Sequence, residues 1–172
     1  MGLTIQKITN ANVYEGANSL LGKVKEIELP NIQYMTAEHN ALGMVGVIET
    51  FTGIEAMEAT FRSDSIYNEL IEAFADPFLT KKIQVRTSLN IWDSNGRSDQ
   101  QPVVIHLSTR GSNMPLGSFN PKENIELEYT VKVTAVKMVV NGVEKFEFDA
   151  ENNILKINGE DKLAQFRDNL GT

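Results

Sequence analysis

His39 and His106 are the two histidines of a 172-residue chain that has no cysteine, so metal capture and imidazole catalysis rest on them and on 23 acidic side chains. Neither histidine has a partner at metal-ligand spacing, and no His-Glu pair sits on one helical turn. The serines lack a nucleophile-elbow context, and the glycines form no phosphate-cradling loop after a strand. Asp93 and Asp99 hint at a calcium loop, but their spacing does not fit the EF-hand and no glutamate closes it. Glu126 and Glu128 alternate along a strand and point the same way, which makes a solvated face and not an acid/base pair straddling a substrate. Enzyme chemistry finds no convergent groups, and no cofactor or metal is expected. Binding or assembly remains.

The elements that must position such a surface centre on Asn124 to Phe148. Ile125, Leu127, Tyr129, Val131 and Val133 alternate with Glu126, Glu128, Thr130, Lys132 and Thr134, the period of a half-buried antiparallel strand. After Ala135 the apolar positions become Val136, Met138 and Val140, a one-residue slip that predicts a bulge or a change of environment. Asn141-Gly142 is a turn. A plain two-residue loop would set Met138 against Lys145 and Val136 against Glu147. A three-residue loop or a bulge near Gly142 pairs Met138 with Phe146, Val136 with Phe148 and Lys137 with Glu147, and this register is preferred because it yields one apolar face and an opposite-charge pair.

At 41% hydrophobic residues and this length, one domain spanning 1–172 suffices to bury a core. The absence of cysteine excludes a disulfide framework and suits a reducing cytosol. No apolar run approaches a membrane span and no signal peptide is visible, so a soluble protein without membrane anchoring is expected. The net charge of −7 argues against gripping nucleic acid. It suits a surface past which nucleic acid moves without sticking, and equally an ordinary solubility charge.

In order, Asn12 to Gly16 and Val24 to Leu29 read as strands of a small hairpin, stopped at Pro30. Residues 31–46 lack a period and read as a long loop that docks on a partner. In Val47 to Arg62, Met57, Ala59 and Phe61 can face a core with Glu58, Thr60 and Arg62 outward, Gly53 breaking or bulging the strand. Ser63-Asp64-Ser65 offers caps for an amphipathic helix over 64–75 with Ile66, Leu70, Ile71 and Phe74 inward, ended by Asp76-Pro77. Ile83 to Ile91 and Val103 to Leu107 form a hairpin around a polar tip at Asp93 to Asp99, and Gly111 to Lys122 is a connection. Leu163, Phe166 and Leu170 mark a short C-terminal helix with Gly171 as its C-cap.

Ile8 to Tyr14, Glu28-Leu29-Pro30, Gly53 to Phe61, Asn141-Gly142 with the strand after it, and above all Ile157 to Leu163 through Asn169-Leu170-Gly171 carry a resemblance. The chain resembles the major tail tube proteins of contractile-tailed bacteriophages and the tube proteins of R-type pyocin-like tailocins. Thr80 to Pro115 follows the family weakly, and Asn31 stands where relatives often carry a basic residue. The resemblance implies a mainly β (α+β) fold, an antiparallel β-sandwich or partly closed barrel with one flanking helix and a short C-terminal helix. It implies hexameric rings that stack into a hollow tube inside a contractile sheath, with baseplate or hub and tail terminator as further partners, in a virion tail or tailocin particle assembled in the bacterial cytoplasm.

Three sets of site residues follow from that resemblance. Glu58, Thr60, Arg62, Glu126, Glu128, Thr130 and Lys132 are expected to line the lumen, an acidic wall that gives passing DNA nothing to hold. Glu38, His39, Asn40 and Met44 are expected to stack ring on ring. Asp161, Arg167 and Asn169 are candidates for lateral contacts, with docking of that helix on its own subunit as the alternative. A type VI secretion tube shares the implied architecture, and a monomeric carbohydrate- or peptide-binding β-sandwich is the generic competitor.

Overall fold

Residues 2–172 are described by a computed structural model. In chain order the strands are β1 (Ile5–Glu15), β2 (Asn18–Ser19), β3 (Glu26–Glu28), β4 (Tyr34–His39), β5 (Ile48–Ile54) and β6 (Met57–Ser63). Helix α1 (Asn68–Phe74) follows, then β7 (Lys81–Asp93), β8 (Gly96–Gly111), β9 (Leu127–Val140), β10 (Val143–Asp149), β11 (Ile154–Ile157), β12 (Glu160–Asp161) and α2 (Ala164–Leu170). All pairings are antiparallel, and β9 is the spine. Its first half pairs with β6, which carries β3 on its far edge; its second half pairs with β10, leading to β11 and β12. On its other side β9 pairs with β8, leading to β7, β1 and β2. The sheet does not close into a barrel, in keeping with the expected partly closed mainly β fold.

The slip in the β9 pattern is a register shift. Ala135 pairs with Ser108 and Val133 with Thr109, so Thr134 is the extra residue, and the buried set moves from Leu127, Tyr129, Val131 and Val133 to Val136. The β9–β10 register pairs Met138 with Phe146, Lys137 with Glu147 and Val136 with Phe148, as the preferred reading has it. The turn itself has two residues, Asn141 and Gly142, with φ of 50° and 75°. Positive φ at both central positions is what a type I′ turn requires. The bulge is displaced to Lys145, between the Glu144 and Phe146 pairings.

A core of Phe61, Phe74 and Tyr129 lies where α1 crosses β6 and β9, with ring centroids 4.3 Å apart for the stacked Phe61–Phe74 pair and 5.8 Å for Phe74–Tyr129. Ile83, Leu107, Val136, Phe148 and Leu155 extend it under the long sheet. Helix α1 starts later than its serines suggest: Tyr67 is the N-cap without a side-chain bond, Ser63 Oγ donates to Ser65 O at 3.0 Å, and Ile66 is exposed. Leu70, Ala73 and Phe74 form its buried face.

Three sequence expectations need correction. The N-terminal segments do not form one hairpin: β1 turns back on β2 and lies along β7, while β3 joins β6. Residues 31–46 are not a structureless loop, because Tyr34–His39 pairs with Ile48–Ile54 as a separate two-stranded sheet. The tip of the β7–β8 hairpin is Ser94-Asn95, so Asp99 belongs to β8, opposite Ile91.

Candidate assembly surfaces

Alternation along β6 and β9 buries Met57, Ala59, Phe61, Tyr129 and Val131, and this forces Glu58, Thr60, Arg62, Glu128, Thr130 and Lys132 onto one wet face. The register sets Glu58 opposite Lys132, Thr60 opposite Thr130 and Arg62 opposite Glu128. Strand β3 extends the same face, with Glu26 opposite Arg62 and Glu28 opposite Thr60. Glu58 and Lys132 form an ion pair. Arg62 Nε donates to Glu128 at 2.8 Å and Nη1 to Glu26 at 2.6 Å, with Glu28 3.9 Å away, and Lys25 reaches Glu126 at 3.3 Å. The hydrogen bond from Arg62 to Glu128, then the field of Glu128 and Glu26, raises the guanidinium pKa above its usual value. Glu26, Glu28, Glu58, Glu126 and Glu128 outnumber Lys25, Arg62 and Lys132, so this face is cross-linked by ion pairs and still acidic.

The second surface is the β4–β5 hairpin. Among the described residues it pairs with no other strand, and all six residues of β4 and the first five of β5 are exposed. Tyr34 and Phe51 pack edge to face at 5.8 Å on one side, and Met35, Ile48, Val45 and Leu42 are open to solvent. Of the residues expected to stack rings, Glu38 and His39 end β4, paired with Glu49 and Ile48, while Asn40 and Met44 lie in the tip. An isolated two-stranded hairpin is at best marginal in water. This one presents a large unpartnered apolar area, the mark of a surface that is covered in use.

The sequence profile of the family described as phage tail tube protein FII matches residues 5–171. The chain belongs to this tail tube family. It is also 24% identical, over 96% of its length and 97% of the relative's, to the tail tube protein of Escherichia phage P2. Among solved structures, a chain of the sheath-tube complex of an extracellular contractile injection system, PVC, in its extended state shares the fold with a TM-score of 0.54 at 15% identity, covering 75% of this chain and 87% of that one. A chain of the anti-feeding prophage tube-terminating cap matches with a TM-score of 0.53, at the same 15% identity and the same coverage.

In this tail tube protein the third set of expected residues is engaged within the subunit. Arg167 donates to Asp161 at 2.5 Å and to the Asn153 carbonyl at 2.9 Å, and Gln165 donates to Asn169 at 3.0 Å. The hydrogen bond from Arg167 holds the Asp161 carboxyl below its ordinary range. Helix α2 buries no residue, and Phe166 and Leu170 are about half exposed. A groove of about 490 Å³ lies between α2 and the root of the hairpin, lined by Met35, Phe51, Phe148, Leu163 and Phe166.

Sequence reasoning missed Glu26, Glu28 and Lys25, since the pairing of β3 with β6 joins segments far apart in the chain. It also missed Asn113, whose side chain binds the edge of β9. His106, on β8 between Gln84 and Lys137, has its pKa lowered by burial first and then by Lys137 and Arg86. Among the described residues no cluster of His, Asp and Glu has the geometry to hold a metal ion.

Proposed function

We propose that this tail tube protein closes into six-membered rings that stack into a hollow tube, with the β3–β6–β9 face as the lumen wall. The observation that carries this reading is the β4–β5 hairpin, which leaves both faces open to solvent and pairs with no other strand among the described residues. A second copy in the adjacent ring supplies the missing cover, with Glu38, His39, Asn40 and Met44 at the contact. Asp161, Arg167 and Asn169 sit at a lateral contact, where the Arg167–Asp161 and Gln165–Asn169 bonds fix the shape of α2.

The lumen then repeats five carboxylates against three cations around each ring. Phosphate approaching such a wall meets net negative charge, and the cations are already paired, so DNA slides past without adhering. In a headless particle the same bore passes ions. The sheath surrounds the outer face, with the baseplate or hub at one end and the terminator at the other, and assembly takes place in the bacterial cytoplasm.

Electron microscopy of the concentrated protein tests the proposal, with rings and tubes expected. Replacing residues 36–51 by a two-glycine turn is expected to leave folded monomers or single rings. Long tubes from that variant would overturn the stacking role, and carboxylates of the β3–β6–β9 face found on the outside of an assembled tube would overturn the lumen assignment.

A further inference from the structure

Strand β8 ends at Gly111, but the hydrogen-bonding edge of β9 continues past it. Ser112 N donates to the Thr130 carbonyl at 3.0 Å, and then a single side chain takes over. Asn113 Nδ2 donates to the Glu128 carbonyl at 3.0 Å, while Thr130 N donates to Asn113 Oδ1 at 2.8 Å. One carboxamide thus bonds the carbonyl of residue i and the amide of residue i+2. That is the pattern a backbone residue makes in a parallel strand. No strand follows until Leu127, so nothing else extends this edge.

The opposite border of the same wall is the outer edge of β3, which among the described residues pairs only with β6. An open edge is a template for another chain. Because β3 is antiparallel to β6 and β6 to β9, β3 and β9 run in the same sense. Rotation about a ring axis preserves that sense, so β3 of a neighbour would meet β9 in parallel.

We infer that Asn113 is a placeholder for strand β3 of a neighbouring copy, released when the lateral junction of the ring forms. This rests on the ring reading above and names its edges. The Asn113 amide lies across from Tyr129, whose side chain faces the core, so alternation puts Ile27, the inward residue of β3, in its place. Glu28 then lies beside Thr130 and Glu26 beside Glu128. The freed segment after Asn113 carries Leu116 and Phe119, 75% and 80% exposed, towards an apolar groove of about 390 Å³ flanking β3, lined by Ile8, Ile27, Leu29, Val85 and Met138. The adjacency of Glu26 and Glu128 makes the junction stronger as salt screens it.

The chain has no cysteine, so two introduced thiols report on one contact. Within a subunit Glu28 and Thr130 are two strand spacings apart, roughly 10 Å, too far for a disulfide. The E28C/T130C double variant, oxidised after assembly, is expected to give a ladder of covalent oligomers up to a closed ring on non-reducing gels. Asn113→Ala, which loses two hydrogen bonds in the free subunit only, is expected to assemble at a roughly tenfold lower concentration, with Asn113→Asp behaving alike because it cannot donate to Glu128. Circular dichroism and a thermal melt check that each variant is folded. Rings without cross-links overturn the β3–β9 junction, and an unchanged or raised assembly threshold in folded Asn113→Ala overturns the placeholder. Wild-type protein that forms no rings at any concentration overturns the ring reading itself.

Discussion

Arg62 lies directly opposite Glu128 across the β6–β9 register and donates to it at 2.8 Å while also bonding Glu26 of β3. One guanidinium therefore ties the three strands of the proposed lumen wall together. Each pair is solvent-exposed, so its separate contribution to folding is small. The larger effect is on a wall where like charges are brought close. Arg62→Met is expected to fold with only a slightly lowered melting temperature but to need a higher concentration to assemble, and the difference should vanish near 1 M salt, where the screening length is about 3 Å. Equal assembly of variant and wild type at low salt, read by light scattering, would remove Arg62 from this role.

Gly111 marks where β8 meets the end of α1. Its amide donates to the Asp76 carbonyl at 2.8 Å, and a Cβ there would lie 2.5 Å from the Phe74 carbonyl oxygen and 2.7 Å from the Ala75 carbonyl carbon. Those are backbone atoms and cannot swing aside. Gly111→Ala is expected to push α1 off the sheet and cost about 1–3 kcal/mol in urea unfolding. A cost near zero would mean that the helix end moves freely.

Tyr129 is fully buried against Phe74, yet its hydroxyl has no hydrogen-bond partner among the described residues. Burial also raises its pKa. Removing an unsatisfied buried group relieves a desolvation cost of about 1–3 kcal/mol. Tyr129→Phe is therefore expected to be as stable as wild type or more so, measured by urea midpoint. Clear destabilisation would show that the hydroxyl is bonded in solution.

What was legible in the sequence follows from burial. Strand β9 could be read, slip included, because its buried residues alternate, and the β9–β10 register could be chosen because only one pairing put Phe146 and Phe148 against Met138 and Val136 while matching Lys137 with Glu147. The wet face of β6 and β9 was legible for the same reason. The β4 strand was not, since with every residue exposed it has no period to read. Asn113 was invisible because its role depends on where β8 stops relative to β9, a tertiary relation with no local signature.

His106 supplies a test of the β7–β8–β9 part of the sheet. It is flanked by Gln84 on β7 and Lys137 on β9, with Arg86 nearby, and burial together with these two cations lowers its folded pKa. The unfolded chain, with histidine near 6.5, binds the proton more readily, so stability falls as pH drops through the unfolded value and levels off below the folded one. Glu69, Asp99, Glu144 and Asp161 are held below ordinary carboxylate values, so their contributions are lost only at more acidic pH. The window from about pH 7.5 to about 5.5 thus separates His106 from these four carboxylates. His106→Gln keeps a polar side chain in the row and is expected to flatten the fall in urea midpoint that wild type shows across this window. Identical slopes in the two proteins would place the titrating group elsewhere.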